Sequence, residues 1–186
     1  MFIQTEQTPN PATLKFLPGR SVLDSGTADF TTVGEAAGRS PLAERLFSVD
    51  GVAAVFLGSD FITITKSADK EWYVMKPGVL GAIMEHMSTG QPVISNTVAD
   101  GETHGPAEED SEVVGQIKEL IETRVRPAVA QDGGDIVFQG FDAGVVFLQL
   151  RGACAGCPSS TMTLKMGIEN MLKHYIPEVT EVRAAM

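Results

Sequence analysis

Cys154 and Cys157 are the only cysteines among 186 residues, standing three apart in Gly152-Ala153-Cys154-Ala155-Gly156-Cys157-Pro158. Paired thiols at this spacing suit either metal binding or thiol–disulfide exchange, and two thiolates do not complete a four-cysteine zinc or iron–sulfur site. Either a second copy of the chain supplies the other two ligands, or the pair does redox chemistry alone. A thioredoxin-type dithiol belongs after the first strand of a βαβ unit. Here a hairpin precedes the pair and one helix follows, which does not fit. A zinc site within one chain needs two further ligands, and His86, His104 and His174 are not at ligand spacing to the cysteines. Symmetric dimerisation would gather four thiolates, which suits zinc and a [4Fe–4S] cluster equally. Spacing alone leaves all three readings open.

The elements around the pair decide how it is presented. The loop joins the end of a strand to the start of a helix, with Cys157 as the expected N-cap and Pro158 at the first helical position. Unpaired amides and the helix dipole there predict thiolate character on both cysteines. Gly152 and Gly156 let the backbone turn tightly and approach a bound group. Upstream, Val113, Ile117, Leu120, Ile121 and Val125 recur at helical spacing, and the helix is expected to stop at Pro127. Asp132-Gly133-Gly134-Asp135 punctuates the chain, and strands over 136–141 and 145–150 flank Asp142-Ala143-Gly144. After the loop, Leu164, Ile168, Met171, Leu172 and Tyr175 trace a helical face ended by Pro177, with a short closing strand over 179–182.

The earlier half reads as strands over 2–8 and 14–17, split by Pro9-Asn10-Pro11. Ser40-Pro41 predicts an N-cap and first helical position for a helix through Phe47. Strands over 52–57 and 61–65 flank Gly58-Ser59-Asp60, a hairpin signal. A helix is expected from Pro77 to Met87, closed near Gly90. Strands interleaved with helices and antiparallel hairpins define an α+β class. Residues 96–111, NTVADGETHGPAEEDS, hold little apolar surface to offset ordering entropy and read as a flexible acidic linker. The expected organisation is two small α/β domains, 1–95 and 112–186, joined by 96–111.

Composition excludes several function classes. The chain is 19.8 kDa with a net charge of −10 and a pI near 4.7, with no basic cluster of the kind that grips a nucleic-acid backbone. Its charge divides evenly, with 12 acids and 7 bases on either side of residue 107. No apolar run approaches bilayer length, so no membrane span is expected. The first residues show neither a secretory signal nor an organellar presequence. With one cysteine pair, the expected setting is a reducing one: the bacterial cytoplasm, or the mitochondrial matrix once a presequence has been removed.

Several residues carry a structural reading beside a functional one. Asp132 and Asp135 tempt assignment as acids or ligands, yet a helix-to-strand turn with glycine at positive φ explains them. Arg151 is placed either to offset cluster charge or as an exposed strand-end residue. Ser159 and Ser160 sit in a first helical turn, where local hydrogen bonding outweighs nucleophilic catalysis. Met162 and Met166 either cover a cluster or dimer surface or, as expected, pack in the core. Trp72 and Tyr73 mark either a partner-binding surface or buried packing.

The combination of segments is more specific than any one of them. Ile121-Glu122, Arg126-Pro127 and Asp132-Gly133-Gly134-Asp135, then a hairpin and 150–160, closely resemble the NifU C-terminal (Nfu-type) domain. The upstream half resembles the Nfu N-terminal domain, notably Thr5-Glu6-Gln7-Thr8-Pro9-Asn10-Pro11, Leu14-Lys15-Phe16, Gly51-Val52, Val55-Phe56 and Trp72. The resemblance implies an iron–sulfur cluster scaffold or carrier, not an enzyme. It implies a [4Fe–4S] cluster bridging two subunits on Cys154 and Cys157 of each. It further implies transfer to apo iron–sulfur client proteins, an upstream cluster-assembly scaffold as donor, and a homodimer when loaded. The additional cysteine-bearing modules of larger NifU proteins are not present, so sulfur mobilisation is not expected.

Overall fold

The computed structural model describes residues 2–95, 112–155 and 158–185, with backbone alone for 158–160. The expected linker with His104, and the Gly156–Cys157 step of the cysteine loop, lie outside the described residues. The chain forms two compact units, Met1–Thr103 and His104–Met186, each with its own hydrophobic core.

The first unit is an antiparallel five-stranded sheet with helices on one face. Its strands are β1 (Gln4–Gln7), β2 (Thr13–Leu17), β3 (Ala28–Phe30), β4 (Val52–Leu57) and β5 (Ile62–Lys66), in the order β1-β2-β5-β4-β3. Strand alternation sends Leu14, Phe16, Ile62, Ile64, Val55 and Leu57 into one core. The opposite row holds Lys15, Thr63 and Phe56, where the Lys15 ammonium lies 4.8 Å from the Phe61 ring centroid. Thr8, Asn10 and Thr13 close the first hairpin: Asn10 Oδ1 accepts from the Ala12 amide at 3.0 Å, and the Asn10 carbonyl from Thr13 N–H at 3.0 Å.

The helices of this unit are α1 (Val33–Ala36), α2 (Pro41–Phe47) and α3 (Trp72–Thr89). Ser40 caps α2 as expected, accepting from the Ala43 amide at 3.0 Å, with Pro41 at the helix start. Helix α3 begins at Trp72, five residues before the expected start, and carries Pro77 inside it; Gly90 closes it at φ +68°. Trp72 packs against the core and donates its indole N–H to the Pro11 carbonyl at 3.2 Å, which anchors the earlier turns. Tyr73 points to solvent. Neither β3 nor α1 is anticipated above, although Thr32 and Glu35 form a reciprocal capping box.

The second unit opens with α4 (Glu112–Leu120), a π turn over Ile121–Val125 and α5 (Arg126–Gln131). The helix therefore runs past Pro127 and does not stop there. Ile117, Ile121, Val125 and Val129 are buried at a uniform spacing of four. In a regular α-helix each such step drifts by roughly 40°. The wider π turn absorbs that drift, and Arg126 N–H reaches back five residues to the Ile121 carbonyl. It also loosens the turn facing the Pro127 ring, relieving the clash a proline otherwise imposes.

A hairpin of β6 (Gly134–Asp142) and β7 (Val145–Gly152) follows, turning through Ala143 at φ +48° and Gly144 at φ +83°. Ile136, Phe138 and Phe141 face the core because a bulge between Phe138 and Gly140 restores their phase. Helix α6 (Pro158–Tyr175) crosses over to β8 (Glu181–Ala184), which pairs parallel to β7. This closing strand lies two residues beyond the expected one. Ile168 and Leu172 bury one stripe of α6, while Met162 and Met166 are exposed, so core packing is not their role.

His86 on α3 is fully buried, and among the described residues neither ring nitrogen closes a hydrogen bond. Burial lowers its pKa from the ordinary 6.5, the Arg45 charge adds to this, and the nearby Gln91 and Pro92 backbone offsets it only in part. A depressed folded-state pKa contributes stability that is present above about pH 6.5 and lost as the pH falls through the folded value. Urea unfolding should show wild-type protein losing stability between pH 7 and 5 more steeply than His86→Leu, following about one proton. Parallel pH profiles would refute the assignment.

Candidate metal centre

The cysteine loop is built from two sequence-distant segments that the β6–β7 hairpin places edge to edge. Gly134 pairs with Gly152 and Asp135 with Arg151, so the Asp132–Asp135 turn lies beside the strand that feeds the loop. Ala153 N–H donates to the Gly133 carbonyl at 3.2 Å, and Ala155 N–H to the Gly152 carbonyl at 3.1 Å. Gly133 has φ +78° and Gly152 φ +63°, left-handed conformations that favour glycine. The far side of the loop is tied to α6, where the Thr161 hydroxyl donates to the Cys154 carbonyl at 3.1 Å.

Gly134 is glycine for a different reason, which is space. A Cβ there would collide with Cys154 Sγ and stand 2.9 Å from the Arg151 carbonyl oxygen and 3.0 Å from the Cys154 nitrogen. The backbone of Gly134 is thus the floor on which the thiol rests. The Asp-Gly-Gly-Asp segment, read above as a turn, is one: Asp132 ends α5, and Asp135 Oδ1 accepts from the Ile136 amide at 2.8 Å. It also does more, because its second glycine makes room for the sulfur. The signal in the sequence was the paired glycine, but only the strand register shows what it faces.

Behind the thiol sits a buried ion pair. Asp135 is 3% exposed and takes a two-point contact from Arg126, Nε to Oδ1 at 2.9 Å and an Nη to Oδ2 at 3.0 Å. Arg126 Nη1 also meets Glu122 at 2.8 Å, one turn back. These contacts hold the guanidinium pKa above its ordinary value, the Asp135 hydrogen bonds contributing most. A carboxylate this deep requires such a partner, because removing it would leave an uncompensated buried charge. Arg126 was not singled out by its chemistry above; the ion pair couples the helix carrying it to the turn under the cysteine. Arg151 is half-buried and donates to Gln149 Oε1 at 3.2 Å.

Cys154 is 7% exposed and free of any disulfide. Burial pushes its thiol up to about 12 from the ordinary 9.0, and the Asp132 and Asp135 carboxylates push in the same direction. This corrects the expectation of thiolate character: at Cys154 desolvation and two acids outweigh whatever the helix start contributes. A thiol in such a place is a poor nucleophile, and a metal ion beside it would supply the positive charge that favours its deprotonation. Cys157 lies outside the described residues. Among the described residues no three His, Cys, Asp or Glu side chains converge as a metal site.

The fold defines a two-unit α+β protein whose cysteine loop is framed by a helix, a hairpin and a second helix. Residues 3–90 match the family described as scaffold protein Nfu/NifU N terminal, and residues 117–183 match the NifU-like domain. The chain is 54% identical to NifU-like protein 4, mitochondrial, of Arabidopsis thaliana over 185 residues, which are 98% of this chain and 65% of that protein. It is 51% identical to the human NFU1 iron-sulfur cluster scaffold homolog, mitochondrial, over 187 residues, covering 100% of this chain and 72% of that protein. The chain thus spans about two thirds of the length of these relatives. A solution structure of a NifU-like protein from Saccharomyces cerevisiae aligns at 28% identity and a TM-score of 0.47, over 52% of this chain and 86% of that one. The chain belongs to the Nfu/NifU-like family of iron–sulfur cluster scaffold proteins.

Gly134→Ala isolates the role of the glycine floor. It should destabilise the second unit by about 1–3 kcal/mol in urea unfolding, the usual cost of an added methyl that the surroundings must give way to. Unchanged stability would mean that the Cys154 loop yields freely.

Proposed function

We propose that this protein carries a [4Fe–4S] cluster between two copies of the chain, on Cys154 and Cys157 of each, and delivers it to apo iron–sulfur proteins. The observation that carries this reading is the thiol count within a NifU-like domain: two per chain, half of a four-thiolate site. The cluster is cargo and the chemistry is ligand exchange, not turnover of a small substrate. A client thiolate attacks, Cys ligands leave one at a time, and separation of the copies completes release.

The cluster arrives from an upstream scaffold, and the domain over 112–186 holds it while the domain over 1–95 docks clients. Tethering through 96–111 raises the effective concentration of cluster at the client without new contacts. The mitochondrial relatives support the matrix as the site of action, one of the two locations expected.

Anaerobic reconstitution with iron and sulfide should give a brown dimer with about four irons per pair of chains, lost in Cys154→Ser and in Cys157→Ser. Zinc uptake by a colourless protein would replace this reading with a structural metal site, and a reversible Cys154–Cys157 disulfide with reductase turnover would replace it with redox chemistry. Deleting residues 1–95 should leave cluster assembly intact and slow transfer to a large client. Equal transfer rates would remove the docking role from the first unit.

A further inference from the structure

The exposed large hydrophobic residues described in the second unit are Met162 at 66%, Met166 at 59% and Tyr175 at 48%. Tyr175 is engaged by Arg124, whose guanidinium carbon lies 5.1 Å from its ring centroid. The two methionines are one helical turn apart on α6, and Thr163, Gly167 and Asn170 are exposed beside them. The first two turns of this face, Met162, Thr163, Met166 and Gly167, carry no charge, and the Glu169–Lys173 ion pair follows further along the same stripe. Gly167 is mid-helix, where glycine is a poor helix former, and among the described residues nothing lies within 4 Å of where its Cβ would be.

The face adjoins the cysteine loop directly. Thr161, the residue before Met162, donates its hydroxyl to the Cys154 carbonyl. Met162 follows Thr161 directly, and Met166 lies one helical turn further along α6.

We infer that Met162, Met166 and Gly167 of α6 form the contact by which a second copy of this chain seats itself around the cysteines. The inference rests on the reading that the cluster is shared by two copies, and it names the surface that reading leaves open. A second copy is the occupant because the chain brings only half of a four-thiolate site, so a copy must come to this loop. Two acidic chains approach with least repulsion where both are uncharged, and a twofold axis sets like face on like face. Met adapts to a contact assembled and released with the cargo, and Gly167 lets the partner's backbone approach closely.

The test uses the full chain, loaded anaerobically with iron and sulfide and followed by sedimentation and visible absorption. M162E/M166E should keep wild-type circular dichroism while its loaded dimer dissociates at a protein concentration at least about tenfold higher. M162K/M166K should behave likewise alone, and mixing the two variants should restore the loaded dimer. G167L should leave the apo-protein's melting midpoint undiminished, since leucine favours a helix, yet weaken the loaded dimer at least about tenfold. Loaded dimers of wild-type tightness in all three variants would overturn the inference. So would loss in both charged variants without rescue on mixing, which would assign the face to a client or to the first unit. Failure of the shared-cluster reading looks different: C154S and C157S would load iron as wild type does, whatever the methionine variants do.

Discussion

The constraint on which the site depends is space at Gly134, where any side chain would meet Cys154 Sγ. It exists because β6 and β7 pair Gly134 with Gly152, two residues before the thiol, and because Ala153 N–H reaches the Gly133 carbonyl. The register that makes this pairing is itself fixed by burial. Ile136, Phe138 and Phe141 must face α6 and the helix of α4 and α5, and a slip of one residue would turn them outward. The hydrophobic core therefore determines where the sulfur sits, and the Arg126–Asp135 pair locks the helix to the same turn from behind.

That arrangement explains why the thiol at Cys154 is not the activated group its sequence context advertises. A short loop before a helix predicts a lowered pKa when it is exposed to the helix amides. Here the sulfur is folded back over the turn, out of water and next to Asp132 and Asp135. An environment hostile to a bare thiolate tolerates a thiol or a thiolate neutralised by a metal, and little between.

Much of the fold was legible because its signals are local. Ser40-Pro41 carries both a cap and a helix start in two residues, and Gly58-Ser59-Asp60 between β-branched runs leaves few options but a hairpin. The helix boundaries were misread where prolines were taken as limits, Pro127 as a stop and Pro77 as a start. Pro127 is accommodated by a π turn whose only trace is the spacing of four among Ile117, Ile121, Val125 and Val129, and Pro77 sits in a helix held by Trp72 and the sheet beneath it. The capping box at Thr32 and Glu35 was readable and was missed because the helix it starts is one turn long. At the site, the cysteine spacing was plain, whereas the roles of Gly134 and Arg126 depend on which strands pair, a long-range fact that no local window contains.

A site divided between two copies has a consequence that a site enclosed in one chain lacks. Each half is incomplete, so loading and association are a single equilibrium, and anything that binds the cargo better than the pair of halves also separates them. The net charge of −10 per chain works against association of the empty protein. On the proposed reading, the cluster and a small uncharged face on α6 are what overcome that repulsion, and neither need be strong alone. A larger apolar interface would hold the copies together after the cargo left, and would slow the exchange of ligands that delivery requires. On that reading, the two thiols hold the cluster while the small α6 contact leaves it free to depart.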